Sequence, residues 1–502
     1  MASFFVHMAR SSDHSPVSLR PPDAPPSAHA PRLEFRGGVV GALVPFIAFL
    51  AGVGALALAG APDEKGFWPI LLGALTVGLL LAKDRARYCE AMLDGMSQRV
   101  VMVMLCAWLF AGVLGTILAA SGFVGALAWL ARSAHLTGGA YVAAAFLVCA
   151  MVSTATGTSF GTILLAAPLL YPAGGAAGAV PAVLMGAILG GATFGDSISP
   201  VSDTTIASSG SQGADIGGTV RSRLRYVIPA GLIACLASAA MGGTADSARA
   251  VAVERMAAEP RALVMLLAPV LVIVMMLRHR HLIESLLLGS GVAASLAVGL
   301  QLITPRALLH VAPGTFGATG IVVEGMQRAV GVSVFTLLLV ALVGTLQATD
   351  VLDRLVAAAA GRASNARAAE WWIVGVVSGA VLLTTHSVVA ILAVGPFAQQ
   401  SGTRFGLSRY RRANLLDLTV CTWPFLLPWF LPTILASSAS AGATSFGMPQ
   451  QSPFAVGLYN TYGWALVAAV IVAVMTGYGR RWESETGVAF RRPERTAGES
   501  AA

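Results

Sequence analysis

Charged side chains are scarce in this chain of 502 residues. Only 11% of the residues are Asp, Glu, Lys or Arg, whereas an average soluble domain has about 25%. Hydrophobic residues make up 56% of the sequence. Too few polar side chains remain to cover a surface in water, which excludes a cytosolic enzyme, a secreted disulfide scaffold and a disordered chain. The composition predicts a polytopic helical protein in contact with a lipid bilayer.

Sequence motifs for bound metals, nucleotides and nucleic acids are also lacking. The five cysteines are scattered and show no CxxC or Cys/His spacing, and no Walker loop (GxxxxGK[ST]) is present. We therefore expect that the protein has no cofactor and does not use ATP as an energy source. The net charge of +8 would favour nucleic-acid binding in a soluble protein. Here the basic residues lie mainly in short loops between apolar runs, so we expect no nucleic-acid partner.

Apolar runs of roughly 14–30 residues follow one another between two polar ends. Several of the runs are short or are interrupted by Gly and Pro, and such helices are tolerated at membrane depth only inside protein or around a cavity. The runs predict an all-α membrane protein with about 12–14 membrane segments. We divide the chain into a disordered cytoplasmic tail (1–36), N-terminal helices (37–98), a first repeat (99–243), connecting helices (244–327), a second repeat (328–479) and a cytoplasmic tail (480–502).

The distribution of Arg and Lys predicts the orientation in the membrane. Basic residues concentrate in the predicted loops 83–99, 215–225 and 400–412, whereas the loops 172–180 and 437–453 carry no charge. Basic loops stay on the cytoplasmic side of a membrane. We therefore predict a multi-pass protein of the cell inner membrane with both termini in the cytoplasm.

An internal repeat is visible when the sequence is compared with itself. Arg99 and Arg328 begin similar apolar runs, and when these two residues are aligned without a gap the stretch 153–162 falls on 382–391. An uncharged loop follows the first copy and a basic loop follows the second, so the copies are predicted to cross the membrane in opposite directions. Inverted repeats with broken helices or re-entrant hairpins are typical of secondary transporters, which bind their substrates near the bilayer midplane.

The stretch 190–209 (GGATFGDSISPVSDTTIASS) contains the strongest candidates for functional residues. Asp196 and Asp203 stand on either side of Pro200, which breaks a helix and frees backbone carbonyls. Carboxylates inside a membrane are costly and indicate function, although either Asp could instead cap a helix. A buried Asp could hold a sodium ion or a proton, but not both. Hydroxyl groups surround the pair, from Thr193, Ser197, Ser199, Ser202, Thr204, Thr205, Ser208 and Ser209.

The stretch 153–168 (STATGTSFGTILLAAP) resembles a re-entrant hairpin in composition, and Thr156, Thr158 and Ser159 could line the substrate path. Close packing of helices through small residues would give the same composition. The segment also fits the GxSxG pattern, which leaves a remote alternative: an intramembrane serine hydrolase using Ser159 and His386. That motif needs a preceding strand, and the sequence shows none there.

The second repeat offers its own polar residues. His386 lies in an apolar run, where a histidine is more often a packing residue than a proton carrier. Asp417 is a candidate polar site, or alternatively the partner of Arg411 or Arg412 in an ion pair. The second-repeat candidates are Thr385, His386, Ser387, Asn414 and Asp417.

Two motifs resemble those of the NhaC-type sodium/proton antiporter family. The stretch 195–205 (GDSISPVSDTT) is similar to the family signature Gly-Asp-x-x-Ser-Pro-Ile-Ser-Asp-Thr-Thr, and 157–162 (GTSFGT) is similar to its hairpin motif. The resemblance implies an inverted-repeat, elevator-like carrier that is often a homodimer, from a wider ion-transporter superfamily in which some relatives exchange malate for lactate. It also implies an ion site formed by Asp196, Ser199, Ser202, Asp203 and Thr204.

The sequence thus predicts a secondary antiporter, not an enzyme, that exchanges sodium for protons. Asp196 and Asp203 would bind the transported Na+ rather than a structural metal. The alternative within transport is a sodium- or proton-coupled exchanger of small organic acids, since the hydroxyl groups of 153–162 could also bind an organic anion.

Overall fold

A computed structural model describes residues 32–58, 64–243, 260–278, 280–312 and 317–483, and these residues are almost entirely helical. The first half contains helices α1 (Gly38–Leu58), α2 (Glu64–Leu81), α3 (Arg85–Met96), α4 (Arg99–Ala120), α5 (Phe123–Ser133), α6 (Gly138–Thr156), α7 (Ser159–Ala176), α8 (Pro181–Ile198), α9 (Asp203–Ser211) and α10 (Ile216–Met241).

The second half continues with α11 (Leu267–Leu277), α12 (Leu282–Gly299), α13 (Pro305–Leu308), α14 (Ile321–Gln347), α15 (Val351–Ala359), α16 (Ala366–Thr384), α17 (Ser387–Arg404), α18 (Arg409–Val420), α19 (Leu431–Ala441), α20 (Pro453–Leu458) and α21 (Thr461–Thr476). Short 3₁₀ helices occupy Pro260–Leu266, Trp423–Phe425 and Thr444–Phe446, and strands β1 (His310–Ala312) and β2 (Gly317–Thr319) pair antiparallel.

Many of these helices are long enough to cross a bilayer. Within the described residues, nine stretches combine sufficient length with high hydropathy, and three shorter apolar helices accompany them. The longest stretch, Pro181–Ser211, contains the break between α8 and α9, and 83% of the residues in its 18-residue apolar window are buried inside the protein. The prediction of an all-α, multi-pass membrane protein is confirmed.

The helix boundaries repeat along the chain. Helices α6 and α16 have the same length, as do α7 and α17, and the same short gap separates the two members of each pair. Helices α18 and α19 begin at the positions that correspond to the starts of α8 and α9 in this alignment. The repeat predicted from the sequence therefore has a structural counterpart. Its register differs slightly, because the sequence match places Gly157 on His386, whereas the helix boundaries place it on Thr385. The opposite orientation of the two copies stays a prediction.

Both copies break at the same place. Gly157, which follows α6, has a φ of +70°, and Thr385, which follows α16, has a φ of +51°. The next residue in each copy, Thr158 or His386, is extended and stands at the N-cap of the following helix. A left-handed residue ends a helix and turns the chain, so each pair forms a helix–break–helix unit.

Several predicted boundaries need correction. Leu33 and Phe35, placed in the N-terminal tail 1–36, are buried, and the backbone N–H of Leu33 donates to the carbonyl of Ala348 over 3.0 Å. The predicted loop 215–225 belongs to α10, which starts before the apolar run because the Asp215 carboxylate caps it through the N–H of Gly218. At the other end, Glu483 accepts from Arg409 over 3.2 Å, so part of the tail 480–502 is packed.

The remaining parts of both predicted tails, 1–31 and 484–502, and residues 244–259 of the predicted connecting segment lie outside the described residues. The predicted loop 400–412 also needs correction, because its last residues Arg411 and Arg412 are buried in the first turn of α18. Helices α18 and α19 are separate, and Pro424 and Pro428 lie in the connection between them.

Candidate functional site

Two helix breaks of the first repeat touch each other. Helix α8 ends at Ile198 because Pro200 cannot continue it and holds Ser199 extended, at a ψ of 129°. The connection then passes directly over the break between α6 and α7. A Cβ placed on Gly157 would lie 2.7 Å from Cγ2 of Val201 and 2.9 Å from its carbonyl oxygen. The absence of a side chain at Gly157 therefore allows the two breaks to cross.

Asp196 lies in the last turn of α8, next to this crossing, and is only 7% exposed. Its Oδ2 atom accepts a hydrogen bond from the Ser159 hydroxyl, over 3.1 Å, at the first residue of α7. Its Oδ1 atom is buried and has no hydrogen-bond partner within the described part of the chain. A carboxylate oxygen in this state is costly unless a proton or a cation binds it.

Other buried polar atoms near Asp196 are also unpaired. The Ser153 hydroxyl has no hydrogen-bond partner among residues 32–58, 64–243, 260–278, 280–312 and 317–483, and the Cβ of Ser153 lies 2.7 Å from where a Cβ on Gly195 would be. Helix α6 thus approaches α8 closely beside Asp196. Hydroxyl and carboxylate oxygens without hydrogen-bond partners are ligand types that a hard cation takes.

The second buried acidic group near Asp196 is Asp417, in α18, rather than Asp203. Asp417 is 1% exposed and forms an ion pair with Arg223 of α10, over 2.6 Å between its Oδ2 and Nη2. The Thr204 hydroxyl donates to its Oδ1 over 3.3 Å, and the Ser208 hydroxyl donates to its Oδ2 over 3.0 Å. Asp417 therefore joins the second repeat to α9 of the first.

Arg223 is a residue of this candidate site that the sequence does not indicate, because its basic segment is predicted to be a cytoplasmic loop. Its side chain is fully buried. It donates to the Ser197 carbonyl oxygen over 3.0 Å, to the Thr205 hydroxyl over 2.8 Å and to Oδ1 of Asn414 over 3.1 Å. Asp215 could have indicated this position, because an Asp is a typical N-cap residue. A helix that begins after Asp215 contains Arg223 two turns from its start.

The structural alternative for Asp417, an ion pair with Arg411 or Arg412, is wrong. Arg411 pairs with Glu370 over 2.8 Å, and Arg412 donates to Oε1 of Gln212 over 3.0 Å. Both arginines have these other partners because they start α18, whereas Asp417 lies near its end.

Asp203 does not share the buried environment that we expected for both acidic residues. It lies in the first turn of α9 and is exposed, whereas Ser199, Ser202 and Thr204 are buried. The Ser202 and Thr204 hydroxyls are hydrogen-bonded to each other over 3.1 Å. The expectation of two carboxylates held away from water thus holds for Asp196 and is wrong for Asp203.

The hairpin hydroxyls have separate roles. The Thr156 hydroxyl donates to the Val152 carbonyl oxygen in its own helix, over 2.9 Å, and the Thr158 hydroxyl caps α7 by accepting from the N–H of Gly161. Only Ser159 of the three reaches Asp196. Its hydrogen bond goes to a carboxylate and it follows a helix rather than a strand, so the arrangement expected of a hydrolase with Ser159 and His386 is not formed.

The second-repeat break lies against α18. The Ser387 hydroxyl donates to the Val420 carbonyl oxygen over 3.3 Å, and Asn414 donates to the Ser222 hydroxyl over 2.6 Å. His386 is partly buried, and its Nδ1 atom has no hydrogen-bond partner among the residues that the structure describes. No hydrogen bond within the described ranges connects Thr385, His386 or Ser387 to Asp196.

Comparison with known proteins shows what the part of the chain around this site is similar to. The Na+/H+ antiporter family matches residues 42–242, which include both breaks of the first repeat, Asp196 and Arg223. The Na+/H+ antiporter NhaC of Alkalihalophilus pseudofirmus is 27% identical over 236 residues, 43% of this chain and 49% of its own length.

The malate-2H+/Na+-lactate antiporter of Bacillus subtilis is 36% identical over 102 residues, 20% of this chain and 22% of its own length. The arginine/ornithine antiporter ArcD of Halobacterium salinarum is 27% identical over 191 residues, 36% of this chain and 37% of its own length. The chain thus spans half or less of each of these relatives. The resemblance to an NhaC-type family, predicted from two short motifs, is confirmed over the matched residues.

Proposed function

We propose, from the match of residues 42–242 to the Na+/H+ antiporter family, that this chain is a secondary antiporter that exchanges sodium for protons. The observation that carries the proposal is the buried Oδ1 atom of Asp196, which lacks a partner among the described residues at the crossing of two broken helices. A proton or a sodium ion would satisfy this oxygen, and each excludes the other. Mutually exclusive binding at one carboxylate is sufficient for exchange.

The surrounding groups suit this role. The Ser159 hydroxyl, which now donates to Asp196, could turn an oxygen lone pair towards a cation, and Ser153 supplies a second hydroxyl oxygen. Carbonyl groups at the broken ends of α6 and α8 would complete the shell, as irregular backbone does in sodium-coupled carriers. The ion gradient and the membrane potential would supply the energy, and the chain would make no covalent bond to its substrate.

Alternating access would come from movement of the helices that hold the site, as one unit, against the rest of the protein. Asp417 and Arg223 join the two repeats at the site, so the acidic residue of the second repeat would move with α9 and α10 of the first. We place the protein in the cell inner membrane with both termini in the cytoplasm, as the distribution of basic residues predicts. A homodimer is the assembly that the family resemblance implies.

An exchange assay in proteoliposomes tests the function. With the interior acidified, addition of external NaCl should collapse the pH gradient at least about tenfold faster than in protein-free vesicles, because sodium displaces the proton from Asp196. An internal pH dye measures the rate, and choline chloride is the control salt. Equal rates with sodium and choline would contradict sodium–proton exchange.

The second candidate is an organic-acid exchanger, which the match to the malate–lactate antiporter favours. Arg223, the one fully buried arginine at the site within the described residues, is already occupied by Asp417, so it offers no free positive charge to a carboxylate substrate. The same vesicles loaded with lactate distinguish the two candidates. Uptake of labelled malate that depends on internal lactate would establish the organic-acid exchanger.

Asp203→Asn should have a smaller effect than loss of a buried carboxylate. Because Asp203 is exposed, its charge acts on the site through solvent and is screened. We expect a roughly two- to tenfold rise in the sodium concentration for half-maximal exchange, with the maximal rate largely kept. Initial rates over a range of sodium concentrations measure this, and complete loss of exchange would show that Asp203 itself binds the ion.

A further inference from the structure

The guanidinium group of Arg223 occupies a site made of oxygen atoms from three helices. Its neighbours are a carboxylate oxygen of Asp417 at 2.6 Å, the Thr205 hydroxyl at 2.8 Å, the Ser197 carbonyl at 3.0 Å and the amide oxygen of Asn414 at 3.1 Å. Carboxylate, hydroxyl, carbonyl and amide oxygens are the ligands by which proteins bind hard cations. Arg223 therefore fills a place that has the chemistry of a cation site.

This site also lies at the C-terminal end of α8, next to Asp196. Ser197 is in the last turn of α8, where carbonyls lack partners within the helix and the helix dipole is negative. Asp196 precedes it directly in the chain. The positive charge of Arg223 thus stands at the same helix end as the carboxylate that we propose to bind the transported ion.

Charged groups from several helices surround the C-terminal end of α8. Two buried carboxylates face it, Asp196 of α8 and Asp417 of α18, and Arg223 of α10 is the one buried cation in contact with them in the described part of the chain. The exposed Asp203 of α9 and the partly buried His386 lie nearby.

Two neutral groups complete these surroundings. The thiol of Cys421 donates to Asp417 over 3.4 Å, and the hydroxyl of Tyr462 is buried close by. With Arg223 in place, the buried groups carry one net negative charge. Without it they would carry two.

We propose that the guanidinium group of Arg223 is a tethered cation. It permanently occupies a second cation site beside the one at Asp196, so that each chain binds a single mobile monovalent cation or proton, at Asp196. The inference rests on the proposed sodium–proton exchange. In this role Arg223 is a positioning and specificity-determining residue, since it acts through Asp417 and the end of α8 rather than on the transported ion. Removing the side chain should open a cavity that a free cation can enter.

The test compares Arg223→Ala with Arg221→Ala, an exposed arginine slightly earlier on the same helix. In proteoliposomes, Arg223→Ala should lower exchange at low sodium at least about tenfold, because Asp417 is left as an unpaired buried charge. High sodium should restore part of the rate, and the Hill coefficient for sodium should rise from about one towards two as a second ion fills the empty site. Millimolar guanidinium should restore the rate and return the coefficient to about one.

A stability measurement keeps the inference testable if transport is lost altogether. Purified Arg223→Ala in detergent should have a lower Tm than the wild type, and millimolar guanidinium should raise it, with no such rise for Arg221→Ala or for urea in place of guanidinium. The double variant Arg223→Gln with Asp417→Asn keeps one net negative charge and should exchange sodium with a Hill coefficient of about one.

The outcomes separate the two proposals. Wild-type vesicles without sodium–proton exchange would overturn the proposed function, whereas a guanidinium-dependent rise in the Tm of Arg223→Ala would still support the tethered cation. If the wild type exchanges sodium, and Arg223→Ala shows neither an altered Hill coefficient nor a response to guanidinium in rate or Tm, then Arg223 is only a structural ion-pair partner and the inference is wrong.

Discussion

Asp196→Asn is expected to abolish sodium–proton exchange. The substitution keeps the size of the side chain and an oxygen that can accept from Ser159, but it removes the group that binds either a proton or a cation. Because no other carboxylate in the described residues is both buried and free of an ion pair at this crossing, we expect less than about 1% of the wild-type rate. The measurement is sodium-driven collapse of a pH gradient in proteoliposomes.

The matched control for Asp196 is Asp94→Asn. The Asp94 side chain is 70% exposed and pairs weakly with Arg87 over 3.5 Å, so its loss should leave the rate within about twofold of the wild type. Equal reconstitution and an unchanged Tm would show that Asp196→Asn folds. Substantial exchange by correctly folded Asp196→Asn would place the exchange group elsewhere and refute the proposed site.

Gly157→Ala is expected to give the second large loss. Gly157 has a left-handed φ of +70°, and an added Cβ would lie 2.7–2.9 Å from the side chain and carbonyl of Val201. The backbone conformation alone costs about 1–2 kcal/mol for a residue with a side chain. The contact with Val201 must also separate the two breaks, which moves Ser159 relative to Asp196. We expect at least about a tenfold lower exchange rate, because displacements of about 1 Å at a site have effects of this size.

The matched control for Gly157 is Gly375→Ala in α16. Gly375 is helical and has no atom within 4 Å of an added Cβ, so alanine should be neutral or should stabilise the helix by about 0.5–1 kcal/mol. Initial exchange rates and Tm values of the two variants give the comparison. A Gly157→Ala protein with wild-type exchange would show that the crossing of the breaks is not needed for function.

Much of the fold could be predicted because its causes are local. The scarcity of charge requires a membrane environment, and Pro200 ends α8 whatever surrounds it. The two breaks and the repeat were visible in the sequence for the same reason, although matching weakly similar residues paired Gly157 with His386 instead of Thr385. Asp196 was found because it lies directly before such a break.

The start of α10 was harder to predict. A basic segment before an apolar run is typical of a cytoplasmic loop, so the sequence pattern assigned Arg223 to solvent. The structure instead makes Arg223 a fully buried partner of Asp417. Whether a basic residue faces water or a buried carboxylate depends on what the rest of the chain places opposite it.

The order of the amino acids is sufficient to predict a multi-pass helical protein, the breaks in its first-repeat helices and the position of Asp196 at one of them. Which second acidic residue is buried near Asp196 follows only from the packing of helices that are distant in the chain. Asp203 is near Asp196 in the sequence but lies on an exposed face of α9, whereas Asp417 comes from the second repeat and is buried against Arg223. The physical reason is that breaks follow from local backbone chemistry, while burial and charge pairing follow from how distant helices pack.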